Sequence, residues 1–338
     1  MLTEKENLLR ALRGEVPAWV PHYTYGTDPE AAHPPALQFV MPPMFTGSMV
    51  PGGGTDVWGV KYVPSDEAAG ASLPEPNNFI LRDITKWRDV IKAPDYSNVD
   101  WEATMTKAIA ESGIDRSQTA LQYGLLVGYF QLLMSFMGFT EGLCAIQEEP
   151  EEVADLLNYL ADFYVGVLEK TIDIVKPEIL NMGDDTAAWG TPFISKKQFD
   201  EIFVPLYRRH TRFAVERGIS VDHHNCGKCE GFLDSMVDIG VNMWDPAQTC
   251  NDLVGVKRKF GNRLVIAGGF DARGRLLEPG CTDEEIRAAV KNVIDTLAPG
   301  GGYAFAGAYL GATGDAEIKR RNKVVNAAVS EYGRKFYA

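Results

Sequence analysis

The chain has 338 residues, 45% of them hydrophobic and 23% charged, with a formal net charge of −13. That length buries a large core in one domain, and the composition is far from that of a disordered chain. The acidic balance, with no basic stripe, argues against nucleic acid and against anionic membrane surfaces as partners.

Residues 1–12 predict an amphipathic helix without a long apolar run, neither a signal peptide nor a membrane span, so the expected location is the cytoplasm. A first strand is predicted over 19–25. Residues 26–80 are poor in regular pattern, since His33-Pro34-Pro35, Met41-Pro42-Pro43-Met44 and Pro51-Gly52-Gly53-Gly54 break any element. A stretch of that length predicts a cap over an active-site mouth. From about residue 117, strands predicted at 119–126, 178–184, 219–226, 241–245, 264–271 and 302–308 alternate with helices at 151–175, 196–217, 231–239 and 283–297. Thr282 caps the last helix, with Glu285 three residues on completing a capping box.

This order is that of a parallel sheet wrapped by helices. Polar and small residues gather at the strand ends: Gly183-Asp184-Asp185, His224-Asn225-Cys226-Gly227, Asp245-Pro246 and Gly268-Gly269-Phe270-Asp271. No glycine-rich phosphate loop follows a strand. The expected fold is therefore a single-domain (β/α)8 barrel of the TIM type, with its site at the carboxyl ends of the strands.

The run Val221-Asp222-His223-His224-Asn225-Cys226-Gly227 carries the most chemistry. Alternation in a strand sends Asp222, His224 and Cys226 to one face and His223 and Asn225 to the other. An imidazole and a thiol sharing a wall suit zinc, and a strand end suits a catalytic ion. Cys229 would complete an HxCxxC set; its competing role is a buried thiol in the next helical turn. The five cysteines are odd in number and scattered, which predicts reduced thiols. Of the adjacent Asp184 and Asp185, alternation sends one inward, and Asp184 is preferred as that one. Tyr23, Tyr25, Trp58, Tyr123, Trp189, Phe270 and Tyr309 lie near predicted strand ends or in the cap, and together they predict an aromatic, arginine-poor pocket for a flat, weakly charged substrate.

These motifs, with Leu12-Arg13-Gly14-Glu15-Val16-Pro17, Asp56-Val57-Trp58-Gly59-Val60 and Met182-Gly183-Asp184-Asp185, resemble the uroporphyrinogen decarboxylase-like superfamily. True decarboxylases of that group bind a substrate with eight carboxylates using arginines near the N-terminus, whereas no Arg or Lys occurs here between Arg13 and Lys61. The resemblance to the zinc-dependent, corrinoid-linked methyltransferases is closer, because their HxC pair matches His224 and Cys226. Their second cysteine near the last strand is missing from Ala304-Phe305-Ala306-Gly307-Ala308-Tyr309. The third ligand is left open among Cys229, Asp184, Asp185 and Asp222.

Asp56-Val57-Trp58-Gly59 and Pro74-Glu75-Pro76 resemble the members that demethylate methoxylated aromatics. That resemblance implies transfer of a methyl group from an aryl methyl ether to the Co(I) centre of a partner corrinoid (cobalamin) protein, with zinc as Lewis acid and Asp184 or Asp185 as proton donor. A methylcorrinoid:thiol or pterin methyltransferase, and a metal-free decarboxylase or lyase on the same barrel, are the alternatives.

Overall fold

The computed structural model describes residues 2–24, 32–50, 52–65, 71–311 and 314–338. Eight parallel strands form a nearly closed barrel: β1 (His22–Tyr23), β2 (Leu37–Val40), β3 (Ala120–Tyr123), β4 (Ile179–Gly183), β5 (Ser220–His224), β6 (Met243–Ala247), β7 (Val265–Gly269) and β8 (Tyr303–Ala306). Their order is β1-β8-β7-β6-β5-β4-β3-β2, with every hydrogen-bonded neighbour parallel. The fold is the (β/α)8 barrel that the sequence predicts. Six of the predicted strands overshoot the observed ones at both ends, whereas the one predicted at 241–245 begins two residues early and stops two short of Met243–Ala247.

The barrel is filled by alternate residues of each strand. Leu37, Ala120, Ile179, Met243, Val265, Ala267, Ala304 and Ala306 form one buried apolar cluster with Leu8, Ala11 and Leu12 of α1 (Glu4–Leu12). This helix, capped by the Thr3 side chain on Glu6 N–H, lays its apolar face on the inward side chains of the strands. The opposite parity, Leu121, Leu180, Val221, Trp244, Ile266 and Phe305, joins the larger core beneath the surrounding helices. Among these helices, α2 (Tyr129–Met137) and α3 (Pro150–Val175) follow β3, α4 (Asp283–Leu297) follows β7, and α5 (Ala316–Ala328) follows β8. The predicted Thr282–Glu285 capping box is present on α4.

Strand β2 escapes the sequence reading because four residues between proline-rich runs show no alternation to detect. A three-stranded antiparallel sheet follows it (Gly54–Thr55, Lys61–Pro64, Ser72–Pro74). Trp58, expected in the pocket, is buried beside this sheet. Its ring packs on Phe136 and Phe163, and its Nε1 donates to the Tyr164 hydroxyl at 2.8 Å. It is a core residue, anchoring the segment to α2 and α3. No single helix among the described residues is long and apolar enough to cross a membrane.

Candidate metal centre

Register sets the site. His224 pairs with Gly183 on β4 and with Asp245 on β6, so three adjacent strand ends lie level. The ladder continues one step further, with Asp184 N–H donating to His224 O and Asn225 N–H to Asp245 O. The parity Asn181, Gly183, Asp185 along β4 and its extension and Asp222, His224, Cys226 along β5 and its extension brings Asp185 beside Cys226. Cys226 N–H donates to Asp185 Oδ1 at 2.8 Å. His224 Nε2 is 3.7 Å from Cys226 Sγ and 4.0 Å from Asp185 Oδ1. The next residue, Gly227, has φ +81°, and a Cβ there would sit 2.2 Å from Ala187 O, so the turn that aims Cys226 requires glycine.

Ligand atoms of Asp185, His224 and Cys226 all lie within 4.8 Å of one another. Usual zinc bond lengths in a tetrahedron place such atoms roughly 3.5 Å apart, close to the 3.7 Å and 4.0 Å that separate His224 Nε2 from Cys226 Sγ and Asp185 Oδ1. Imidazole nitrogen, thiolate sulfur and carboxylate oxygen are all ordinary zinc ligands, and three protein ligands leave one position for another molecule. The other nitrogen of His224, Nδ1, lies 2.8 Å from Oδ2 of the fully buried Asp245. Burial alone would lower the pKa of His224, but the negative charge and hydrogen bond of Asp245 raise it well above the usual value. Burial raises the Cys226 thiol, opposed by its hydrogen bond with His224.

Gln131, in the first turn of α2, donates Nε2 to Asp185 Oδ2 at 3.1 Å. Beneath the triad, Asp222 Oδ2 accepts from Gln122 Nε2 at 2.6 Å, Asn181 Nδ2 at 3.0 Å and Tyr23 OH at 3.5 Å. Burial, then the charge of Asp245, pushes the Asp222 carboxyl well above the carboxylate range.

Several expectations need correction. Asp184, preferred as the inward acid, turns the other way: its oxygens accept from Phe130 N–H (2.8 Å), Gln131 N–H (3.0 Å) and the Tyr207 hydroxyl (2.6 Å), tying down the start of α2. Burial, opposed by these hydrogen bonds, pushes its carboxyl up to about 7. Cys229 is not in the triad; it is buried and its thiol donates to Asn225 O at 3.3 Å. Tyr123 faces outward and donates to Thr171 Oγ1 on α3 at 2.7 Å. Tyr309 is buried, with the Arg321 guanidinium of α5 over its ring, and Phe270 packs between Phe305 and Tyr309.

Tyr25 lies outside the described residues. Tyr23 does face inward, contributing a hydroxyl to the polar layer rather than a ring to a pocket wall. Trp189 is 42% exposed on the loop after β4, with the Arg273 guanidinium 3.4 Å from its ring centroid. Among the described residues, Trp58, Tyr123 and Tyr309 pack into the core rather than forming a common aromatic wall. His223, as expected, faces away and packs beside Tyr207. The sequence reading did not assign Asp245, Gln131, Gln122 or Asn181 to the site, although Asp245 lies at a predicted strand end in parity with the inward Met243.

A methyltransferase from Methanosarcina mazei superposes over 100% of both chains with a TM-score of 0.60 at 14% identity, a likeness of fold. More distant are a D-psicose 3-epimerase (TM-score 0.36, 13% identity, 73% of this chain and 85% of that one) and a sugar phosphate isomerase/epimerase from Parabacteroides distasonis (0.32, 12%, 72% and 81%). No curated protein matches the chain by sequence. The model of the uroporphyrinogen decarboxylase (URO-D) family matches residues 66–328, well over half of the chain, and the protein belongs to that family.

Proposed function

We propose that the protein is a zinc-dependent methyltransferase that moves a methyl group from a methoxylated aromatic to the Co(I) centre of a partner corrinoid protein. The observation that carries this reading is the Asp185–His224–Cys226 triad at the carboxyl ends of β4 and β5, its histidine backed by a buried carboxylate. Zinc held by these three residues would supply a Lewis acid for the ether oxygen, where negative charge grows as the methyl group departs. In such a transfer the C–O bond would break with its electron pair left on oxygen, and the pair for the new bond to carbon would come from the reduced corrinoid of the partner.

The residues of the chain have distinct parts in this scheme. Asp245 orients His224, Gln131 and the Cys226 N–H orient Asp185, and Gly227 sets the turn that presents Cys226. The general-acid role expected of Asp184 has no support in the geometry, since its oxygens are committed to α2 and Tyr207. A carboxylate in place of a second thiolate makes a harder donor set, which supports an oxygen-bound substrate over activation of a thiol acceptor. The fold shared with a methyltransferase is consistent with the same reading.

The test is zinc per chain, followed by methyl transfer from guaiacol-type ethers to reduced corrinoid protein, read as the methyl-cobalt absorbance. About one zinc per chain and transfer that disappears in His224→Ala supports the proposal. A His224→Ala protein that still transfers methyl groups refutes it.

A further inference from the structure

The middle of a parallel barrel is ordinarily filled by layers of aliphatic side chains. Here the layer beneath the metal centre is polar. Tyr23 on β1, Gln122 on β3, Asn181 on β4, Asp222 on β5 and Asp245 on β6 converge, and Asp222 Oδ2 collects three of their donors. Asp222 and Asp245 are both fully buried and lie within hydrogen-bonding reach of one another. Burying two carboxyl groups side by side is unfavourable, and an apolar layer of the same volume commonly stabilises a fold more. The neighbouring layer of this barrel is apolar, with Leu37, Ala120, Ile179, Met243 and Val265, so the polar one is no requirement of the architecture.

The column leads to His224. From Gln122 and Asn181 it runs through Asp222 and Asp245 and ends at His224 Nδ1, 2.8 Å from Asp245 Oδ2. An imidazole that donates Nδ1–H to a carboxylate has its ring plane fixed and Nε2 left as its metal-binding nitrogen, and Nε2 is the atom that faces Cys226 and Asp185. We propose that Asp245, braced by Asp222 and its amide and phenol donors, is the positioning residue that makes His224 a metal ligand through Nε2. The consequence for metal binding rests on the zinc reading above; the hydrogen bond itself does not.

The two are separated by measuring both. In the metal-free protein, the His224 Nδ1 proton, assigned by its disappearance in His224→Gln, should appear far downfield in a 1H–15N spectrum and move upfield in Asp245→Asn. In competition with a chromophoric chelator, zinc itself as the probe, Asp245→Asn should raise the dissociation constant about 10–100-fold while remaining folded. Asp222→Asn, one step further from the metal, should raise it by a smaller factor. If Asp245→Asn does not fold, the wild-type proton and Asp222→Asn decide the matter. A wild-type His224 without the downfield proton, or a folded Asp245→Asn that binds zinc as tightly as wild type, overturns the proposal. A wild-type protein that shows the proton but takes up no zinc upholds the positioning and defeats the zinc reading instead.

Discussion

Asp184 and Asp185 are chain neighbours with opposite surroundings, and exchanging each in turn separates metal binding from folding. Asp185 is 33% exposed, and its oxygens meet Cys226 N–H, Gln131 Nε2 and the vicinity of His224 Nε2. In Asp185→Asn an amide oxygen still accepts from Cys226 N–H, so the fold should hold to within about 1 kcal/mol. The anionic ligand is lost, however. A charge-assisted contact of about 3 kcal/mol corresponds to roughly 100-fold in the zinc dissociation constant. Asp184→Ala removes three hydrogen bonds from a buried carboxyl, two of them holding the first turn of α2. At about 1 kcal/mol each, it should lower unfolding free energy by about 3 kcal/mol, with zinc affinity changed only a few-fold. Urea unfolding of the metal-free proteins and chelator competition read the two quantities separately. An Asp185→Asn protein with wild-type zinc affinity would refute the assignment, as would an Asp184→Ala protein of undiminished stability that cannot hold zinc.

Cys226→Ser should weaken zinc at least about tenfold, whereas Cys229→Ser should bind it as wild type, because the Cys229 thiol is buried and donates to Asn225 O. Equal losses in a chelator competition would return Cys229 to the ligand set. Asp184 should also impose a pH slope on stability. Its folded pKa is raised from 3.8 to about 7, so between these values the folded state retains a proton that the unfolded chain has released. Stability therefore falls as pH rises from about 4 to about 7 and levels off above. Subtracting the urea-denaturation curve of Asp184→Asn from that of wild type should isolate this slope, and a flat difference would contradict it. Gly227→Ala, at φ +81° with Ala187 O 2.2 Å from the new Cβ, should lose about 2 kcal/mol or more of stability together with zinc affinity. Unchanged zinc binding would show that the turn does not aim Cys226. Trp58→Phe forfeits the bond to Tyr164, so about 1 kcal/mol of stability should go with no change in substrate affinity; a raised KM would put the ring back in the pocket.

The barrel was legible because six of its strands are separated by amphipathic stretches of helical length, and because His224 and Cys226 share a parity that no packing requirement explains. The choice between Asp184 and Asp185 went wrong for want of a phase. Counted from Ile179, which lies in the inner cluster, the inward residues of β4 are Asn181, Gly183 and then Asp185, while Leu180 and Met182 belong to the outer core. Tyr123 shows the same want of a phase. Tyr123 shares the outward parity of Leu121, and Gln122 between them is the inward residue. Proximity to a strand end says nothing about the face; parity against a fixed inward residue does. Asp245 was within reach of that count, whereas Gln131 was not, because its approach to Asp185 depends on where α2 begins. That start is set by a tertiary contact, Asp184 on the Phe130 and Gln131 N–H groups.

The missing late cysteine also becomes intelligible in these terms. The last strand offers no ligand here, because its inward residues, Ala304 and Ala306, carry only methyl groups. Asp185 and Cys226 instead follow adjacent strands, about 4.8 Å apart. Their separation is fixed by the backbone ladder, in which Asp184 N–H donates to His224 O at 2.9 Å. The spacing of the triad is thus inherited from main-chain hydrogen bonds rather than from long side chains. The adjacent aspartates divide the work that follows: Asp184 holds α2 in place, and α2 returns Gln131 to hold Asp185 against Cys226. Loosening the helix start should therefore reach the metal centre only through Gln131, whereas removing the Asp185 carboxylate strikes the centre directly.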